Sequence, residues 1–142
     1  MNQIAVDTNA YRALVGGNKK VVEAVRSAHL VGLPVIVLGE LCYGFENGTQ
    51  KEANMTKLRK FLQTKSLQML HITSETAYIF GEVATQLCRQ GISIQQDDIW
   101  IAALCKQYNF QLLTADTGFT HVVGLQTISF KQRSKTFLSN HH

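Results

Sequence analysis

Ten of the 142 residues are Asp or Glu, and four of them border an apolar run. Asp7 closes Gln3–Val6, Glu40 follows Val35-Ile36-Val37-Leu38-Gly39, Asp98 opens Ile99–Cys105, and Asp116 follows Leu112-Leu113-Thr114-Ala115. If the runs before Asp7, Glu40 and Asp116 are strands of an open α/β sheet, their carboxyl ends form one edge, where ligands bind in a crevice. Carboxylates gathered there repel one another and hold their protons more tightly unless a cation sits among them. A hard divalent ion such as Mg2+, held by one or two carboxylates and several waters, answers that need. Each acid also has a purely local use. Asp7 and Asp98 suit helix N-caps, Glu40 suits a first helical turn, and Asp116 suits an Asx-turn in Asp116-Thr117-Gly118. Capping does not by itself account for four acids on one predicted edge.

The elements that would position these acids follow from periodicity. Gln3–Val6 reads as a strand, and Thr8–Val15 and Lys19–Leu30 read as helices parted by Gly16-Gly17-Asn18. Gly32-Leu33-Pro34 reads as punctuation before a second strand, Val35–Leu38, with helix resuming over Leu41–Phe45. In Lys51–Lys65 the residues Met55, Leu58 and Leu62 mark an amphipathic helix, and Leu67–Ile72 a third strand. Phe80, Val83, Ala84 and Leu87 recur at helical spacing up to Gly91, a natural terminator. Ile99–Cys105 is apolar all round and predicts a buried central helix. Leu112–Ala115 and Leu125–Phe130 complete five strands. Strands alternating with helices predict one α/β domain over 1–130, a parallel sheet of about five strands with helices on both faces. Residues 131–142 read as a basic, polar tail, with His141-His142 either native or a tag remnant.

Composition and motifs exclude other chemistries. Hydrophobic residues at 45% and charged residues at 17% suit a packed core rather than a disordered chain. Cys42, Cys88 and Cys105 form no C-x-x-C pair and lie in helical patterns, so they are expected as buried thiols rather than disulfides or zinc ligands. No apolar run approaches the roughly 18 residues of a membrane span, and the cytoplasm is the expected compartment. There is no Gly-rich phosphate loop, no G-x-S-x-G elbow and no H-E-x-x-H. His29, His71 and His121 are scattered, and His71 is expected to be partly buried in its strand. A flavodoxin-like phosphoacceptor would want paired acids after its first strand, where this chain has Asp7-Thr8-Asn9. The net charge of +4 permits a polyanionic partner.

The segments Ile4-Ala5-Val6-Asp7-Thr8-Asn9, Val37-Leu38-Gly39-Glu40-Leu41-Cys42-Tyr43-Gly44, Asp98-Ile99-Trp100-Ile101-Ala102-Ala103 and Leu112-Leu113-Thr114-Ala115-Asp116-Thr117-Gly118-Phe119 together resemble the PIN-domain ribonucleases, specifically the VapC toxins of VapBC toxin–antitoxin systems. Their order and spacing carry the resemblance from Gln3 to about Phe130. Ala115 stands where the family usually has a basic residue, and Ile94-Gln95-Gln96-Asp97 where it often has Gly-Pro.

The resemblance implies a PIN-like fold and a metal-dependent endoribonuclease that hydrolyses RNA phosphodiesters with one or two Mg2+ or Mn2+ ions. Asp7 and Asp98 would be the principal ligands, with Glu40 and Asp116 acting directly or through water, and Asn9 and Thr114 orienting the carboxylates. Asp98, rather than Asp97, directly precedes the matching Ile-Trp-Ile-Ala-Ala run. A VapB-type antitoxin would lie across the acids, inserting an Arg, and the toxin would form a homodimer. RNA needs basic residues at the rim, for which Lys19, Lys20, Arg26, Lys57, Lys60 and the Lys131–Lys135 tail are candidates. The alternative is a catalytically silent PIN-fold module that binds RNA or protein.

Overall fold

The structure, a computed structural model, describes residues 2–131. Of the tail expected over 131–142, everything beyond Lys131, including Lys135, His141 and His142, lies outside the described residues. Gln3–Val6 (β1) is followed by helices Thr8–Val15 (α1) and Lys19–Ser27 (α2), then by Leu30–Pro34 (β2). Val35–Asn47 (α3) and Lys51–Leu62 (α4) lead to Leu67–Leu70 (β3). Ser74–Arg89 (α5) and Gln96–Tyr108 (α6) lead to Gln111–Thr114 (β4), and a 3₁₀ turn at Thr117–His121 precedes the edge strand Thr127–Ser129 (β5). Among the described residues, no helix is long and apolar enough to cross a membrane.

All strand pairings are parallel, in the order β3-β2-β1-β4-β5. Parallel neighbours require crossovers, and the nearly invariant right hand of such crossovers puts α1–α4 on one face and α5–α6 on the other. The central strand is sandwiched, which is why Ile4, Ala5 and Val6 are all buried. Ile101–Cys105 of α6 is buried throughout, as its unbroken apolar character predicts. From β1 the chain moves outward to β3, then restarts on the other side of β1 at β4. That reversal opens a crevice at the carboxyl ends of β1 and β4. The order also differs from the 2-1-3-4-5 of a flavodoxin-like sheet, so the phosphoacceptor reading fails on topology.

The second strand is not where the sequence reading puts it. Val35–Leu38 is the first turn of α3, and β2 is the preceding Leu30–Pro34. Pro34 has no N–H for the ladder, and its φ of −59° suits a helix entry, so it ends the strand and caps α3 at once. Val37 and Leu41, four residues apart, are both fully buried, a helical spacing that the β-branched run conceals. For the same reason α2 ends at Ser27 instead of Leu30. Gly32 is not a breaker but a close approach in mid-strand. A Cβ there would stand 2.9 Å from the Phe110 ring and 3.1 Å from Leu70 Cδ1. Gly32→Ala is therefore expected to destabilise the fold by about 1–3 kcal/mol through overpacking. The check is a lower urea midpoint at an unchanged slope.

Two smaller expectations also change. Only Cys105 is a buried thiol; Cys42 is half-buried and Cys88 exposed, because Cys88 follows the buried Leu87 and is turned outward by the helix. His71 lies just past β3 and is exposed.

Candidate active site

Asp7 leaves β1 in extended backbone and caps α1, its Oδ1 accepting the Ala10 N–H at 2.8 Å. The adjacent strand supplies its second partner. Val6 pairs with Leu113 across the sheet, which sets the next residues, Asp7 and Thr114, side by side. The Thr114 hydroxyl donates to Asp7 Oδ2 at 2.5 Å, and its oxygen accepts the Asp116 N–H at 3.0 Å. Asp116 in turn accepts the Gly118 N–H on Oδ1 at 2.8 Å, capping the start of the 3₁₀ turn. One buried hydroxyl thus ties two strand ends and two acids together. The local capping uses of Asp7 and Asp116 are real, and each leaves lone pairs facing the crevice.

Glu40 does not follow a strand. It sits in the second turn of α3 and reaches the crevice because that helix starts directly where β2 stops. The Thr8 hydroxyl donates to Glu40 Oε1 at 2.8 Å, joining α1 to α3. Asp98 lies in the first turn of α6, half-buried, and takes no hydrogen bond from the described residues. All four acids line one open cleft of about 1030 Å³, with Asp97, Thr8 and Asn9 also in its wall. Asn9 is exposed, and among the described residues no hydrogen bond joins it to a carboxylate.

Electrostatics record how closely the acids share this space. Burial pushes the Asp98 carboxyl up to about 6, with the charges of Asp116, Glu40, Asp7 and Asp97 adding to the effect. Asp7 is also raised, chiefly by burial; its bonds from Thr114 and Ala10 pull it down, and Asp116 and Glu40 push it up again. Among the described residues the single ion pair is Lys51–Glu46 at 2.7 Å, away from this cleft. The clustered acids therefore have no ion-paired cation, and a bound cation would relieve them.

The donor set fits a hard metal ion. The acids offer carboxylate oxygens, with no His or Cys in the cleft wall, which is the chemistry of Mg2+ or Mn2+. Among the described residues no three Asp, Glu, His or Cys side chains close around an ion unaided. Such spacing suits an ion that keeps several waters and takes one or two carboxylates directly.

Sequence reading missed Thr8, Arg12, Tyr43 and Asn47, which also line the cleft. The available signal was spacing: Thr8 and Arg12, and likewise Glu40 and Gly44, are one helical turn apart. None of Lys19, Lys20, Arg26, Lys57, Lys60 or Lys131 lines it.

A parallel sheet with its switch-point crevice walled by acids is the arrangement of a PIN domain, and the sequence matches that family over residues 4–125. The chain belongs to the PIN domain family. Ribonuclease VapC2 of Rickettsia felis is 30% identical to it over 92 residues, covering 65% of this chain and 67% of that protein. Ribonuclease VapC2 of Haemophilus influenzae is 31% identical over 93 residues, covering 65% of this chain and 69% of that protein. The fold is similar to that in the crystal structure of VapBC2 from Rickettsia felis bound to a DNA fragment from their promoter, with a TM-score of 0.82 and 23% identity over 90% of this chain and 98% of that one.

Proposed function

We propose that this chain is a VapC-like, metal-dependent endoribonuclease whose PIN domain spans residues 1–130 and whose activity a VapB-type antitoxin neutralises. The observation that carries this reading is the cleft of four acids, none ion-paired, at the switch point of a PIN fold. The ribonuclease relatives give it its substrate class.

Asp7 and Asp98 are the principal ligands in this reading, one fixed by two hydrogen bonds and the other free of them. Glu40 and Asp116 complete the set, directly or through water. When bound, one or two Mg2+ or Mn2+ ions supply an acidified water and neutralise charge building on the phosphoryl oxygens. Thr114 holds Asp7 in its orientation, and Thr8 does the same for Glu40. A cationic side chain from the antitoxin would find the same uncompensated carboxylates.

The test is total RNA incubated with the purified protein in Mn2+, in Mg2+ and in EDTA. Discrete cuts in metal are expected, suppressed at least about a hundredfold by EDTA and by Asp7→Asn, in line with losing a metal ligand. Identical patterns in every lane would instead leave a silent binding module.

A further inference from the structure

Next to the acidic cleft, and sharing Arg12 and Gly44 with it, lies a smaller cleft of about 230 Å³ between α1, α3 and α4. Its character is the reverse. No carboxylate lines it, and its polar side chains are Tyr11, Arg12, Asn54 and Lys57, every one able to donate a hydrogen bond. Neither cation is ion-paired with a described acid. Tyr11 is 3% exposed, and its hydroxyl is the one buried side-chain polar atom among the described residues without a hydrogen-bond partner. Closed off from solvent, that hydroxyl is out of reach of a group lodged in the cleft, whose accessible donors are Arg12, Asn54 and Lys57.

The two clefts are joined by a repeated helix contact. Thr8 bonds Glu40 across α1 and α3, and one turn further along both helices Arg12 lies over Gly44. A Cβ at Gly44 would stand 3.0 Å from the guanidinium nitrogen, so glycine leaves the room in which the guanidinium rests. Four helical residues advance about 6 Å, comparable to the step between successive phosphates on an extended strand.

We propose that the cleft between α1, α3 and α4 is a phosphate subsite for the RNA strand, in which Arg12 and Lys57 bind a backbone phosphate neighbouring the one at the acids, with Asn54 as a further donor. This rests on the ribonuclease reading. RNA is favoured over an acidic peptide because Arg12 faces both clefts. A strand whose reacting phosphate sits at the acids continues onto Arg12 about one phosphate step away, a continuity that a separate acidic peptide lacks.

Binding of a short, mixed-sequence single-stranded RNA is measured by fluorescence anisotropy across a salt series, on a non-cleaving Asp98→Asn background. Arg12→Met and Lys57→Met are each expected to weaken binding roughly fivefold or more, the loss of one charge-assisted contact. Each should also flatten the slope of log affinity against log salt by about 0.7. Lys65→Met, an exposed charge outside the cleft, serves as control, and circular dichroism checks folding of every variant. Affinities and slopes matching the background protein overturn the subsite even if the parent cuts RNA. So does an equal loss in Lys65→Met, or a loss confined to binding of polyglutamate. A parent that cuts no RNA in Mn2+, but whose binding falls with Arg12 and Lys57, keeps the subsite and refutes the ribonuclease reading. A parent that binds no RNA refutes both.

Discussion

Asp98→Asn is expected to lower metal-dependent RNA cleavage by about a thousandfold while making the metal-free protein more stable near neutral pH. The two effects have one origin. The Asp98 carboxyl is pushed up to about 6 by burial and by the charges of Asp116, Glu40, Asp7 and Asp97. Its folded pKa therefore lies above the ordinary aspartate value of 3.8. Between those values the folded state holds a proton that the unfolded chain has released, so stability falls as pH rises through the window. Above about 6 the whole penalty is present. Asparagine keeps the shape and removes the charge, and with it the penalty. Because Asp98 is half open to solvent, the gain is discounted to about 1 kcal/mol, a rise of a few degrees in Tm. The parent should therefore melt lower near pH 7.5 than near pH 5, and the variant should lose about that part of the difference. Saturating Mn2+ should reverse the ranking, since an ion bound only to the folded state adds about 2.7 kcal/mol at a hundred times its dissociation constant. A variant that cuts RNA like the parent would remove Asp98 from the metal site, and one that melts with the parent's pH dependence would remove it as the source of the stability penalty.

How far such a site can be read from a sequence depends on what positions each residue. Asp7 and Asp116 were legible because each adjoins a short apolar strand with a clear end, Asp98 because it opens an unbroken apolar helix, and Thr114 only through the family resemblance. Glu40 was placed on the correct edge for the wrong local reason. The run Val35–Leu38 has β-branched composition, and composition cannot tell a buried strand from the first turn of a buried helix. Pro34 does not decide between them, since it suits the start of a strand and the entry to a helix equally. Convergence of the acids depends on the strand order, which no local pattern encodes; the crossover rule and the reversal between β1 and β4 supply it. Arg12 was legible only as a residue one helical turn beyond Thr8, not as part of the cleft. Its place is fixed by the crossing of α1 over α3 and by the space left at Gly44, contacts between residues far apart in the chain.

Thr114→Val should be among the most costly single changes in the protein, although it removes one oxygen and leaves the side-chain volume nearly unchanged. The hydroxyl is buried, donates to Asp7 Oδ2 at 2.5 Å and accepts the Asp116 N–H at 3.0 Å. Valine strands both partners, a carboxylate that loses a charge-assisted bond and a backbone N–H that loses its acceptor. Together these are worth about 2–4 kcal/mol, well above the cost of an ordinary surface substitution. The Thr114 bond is also the strongest influence lowering the Asp7 carboxyl against its burial. Without it Asp7 rises further, and the fall in stability with increasing pH extends to higher pH. An Asp7 that is less often ionised and less firmly oriented should bind Mn2+ about 10–100-fold more weakly. Thr114→Ser keeps the hydroxyl and should recover most of both losses, which separates a hydrogen-bonding role from simple packing. Calorimetric Mn2+ titration and urea unfolding of the two variants would check this. A valine variant as stable as the parent, with unchanged Mn2+ affinity, would mean that Asp7 is held by the α1 cap alone and that Thr114 positions nothing.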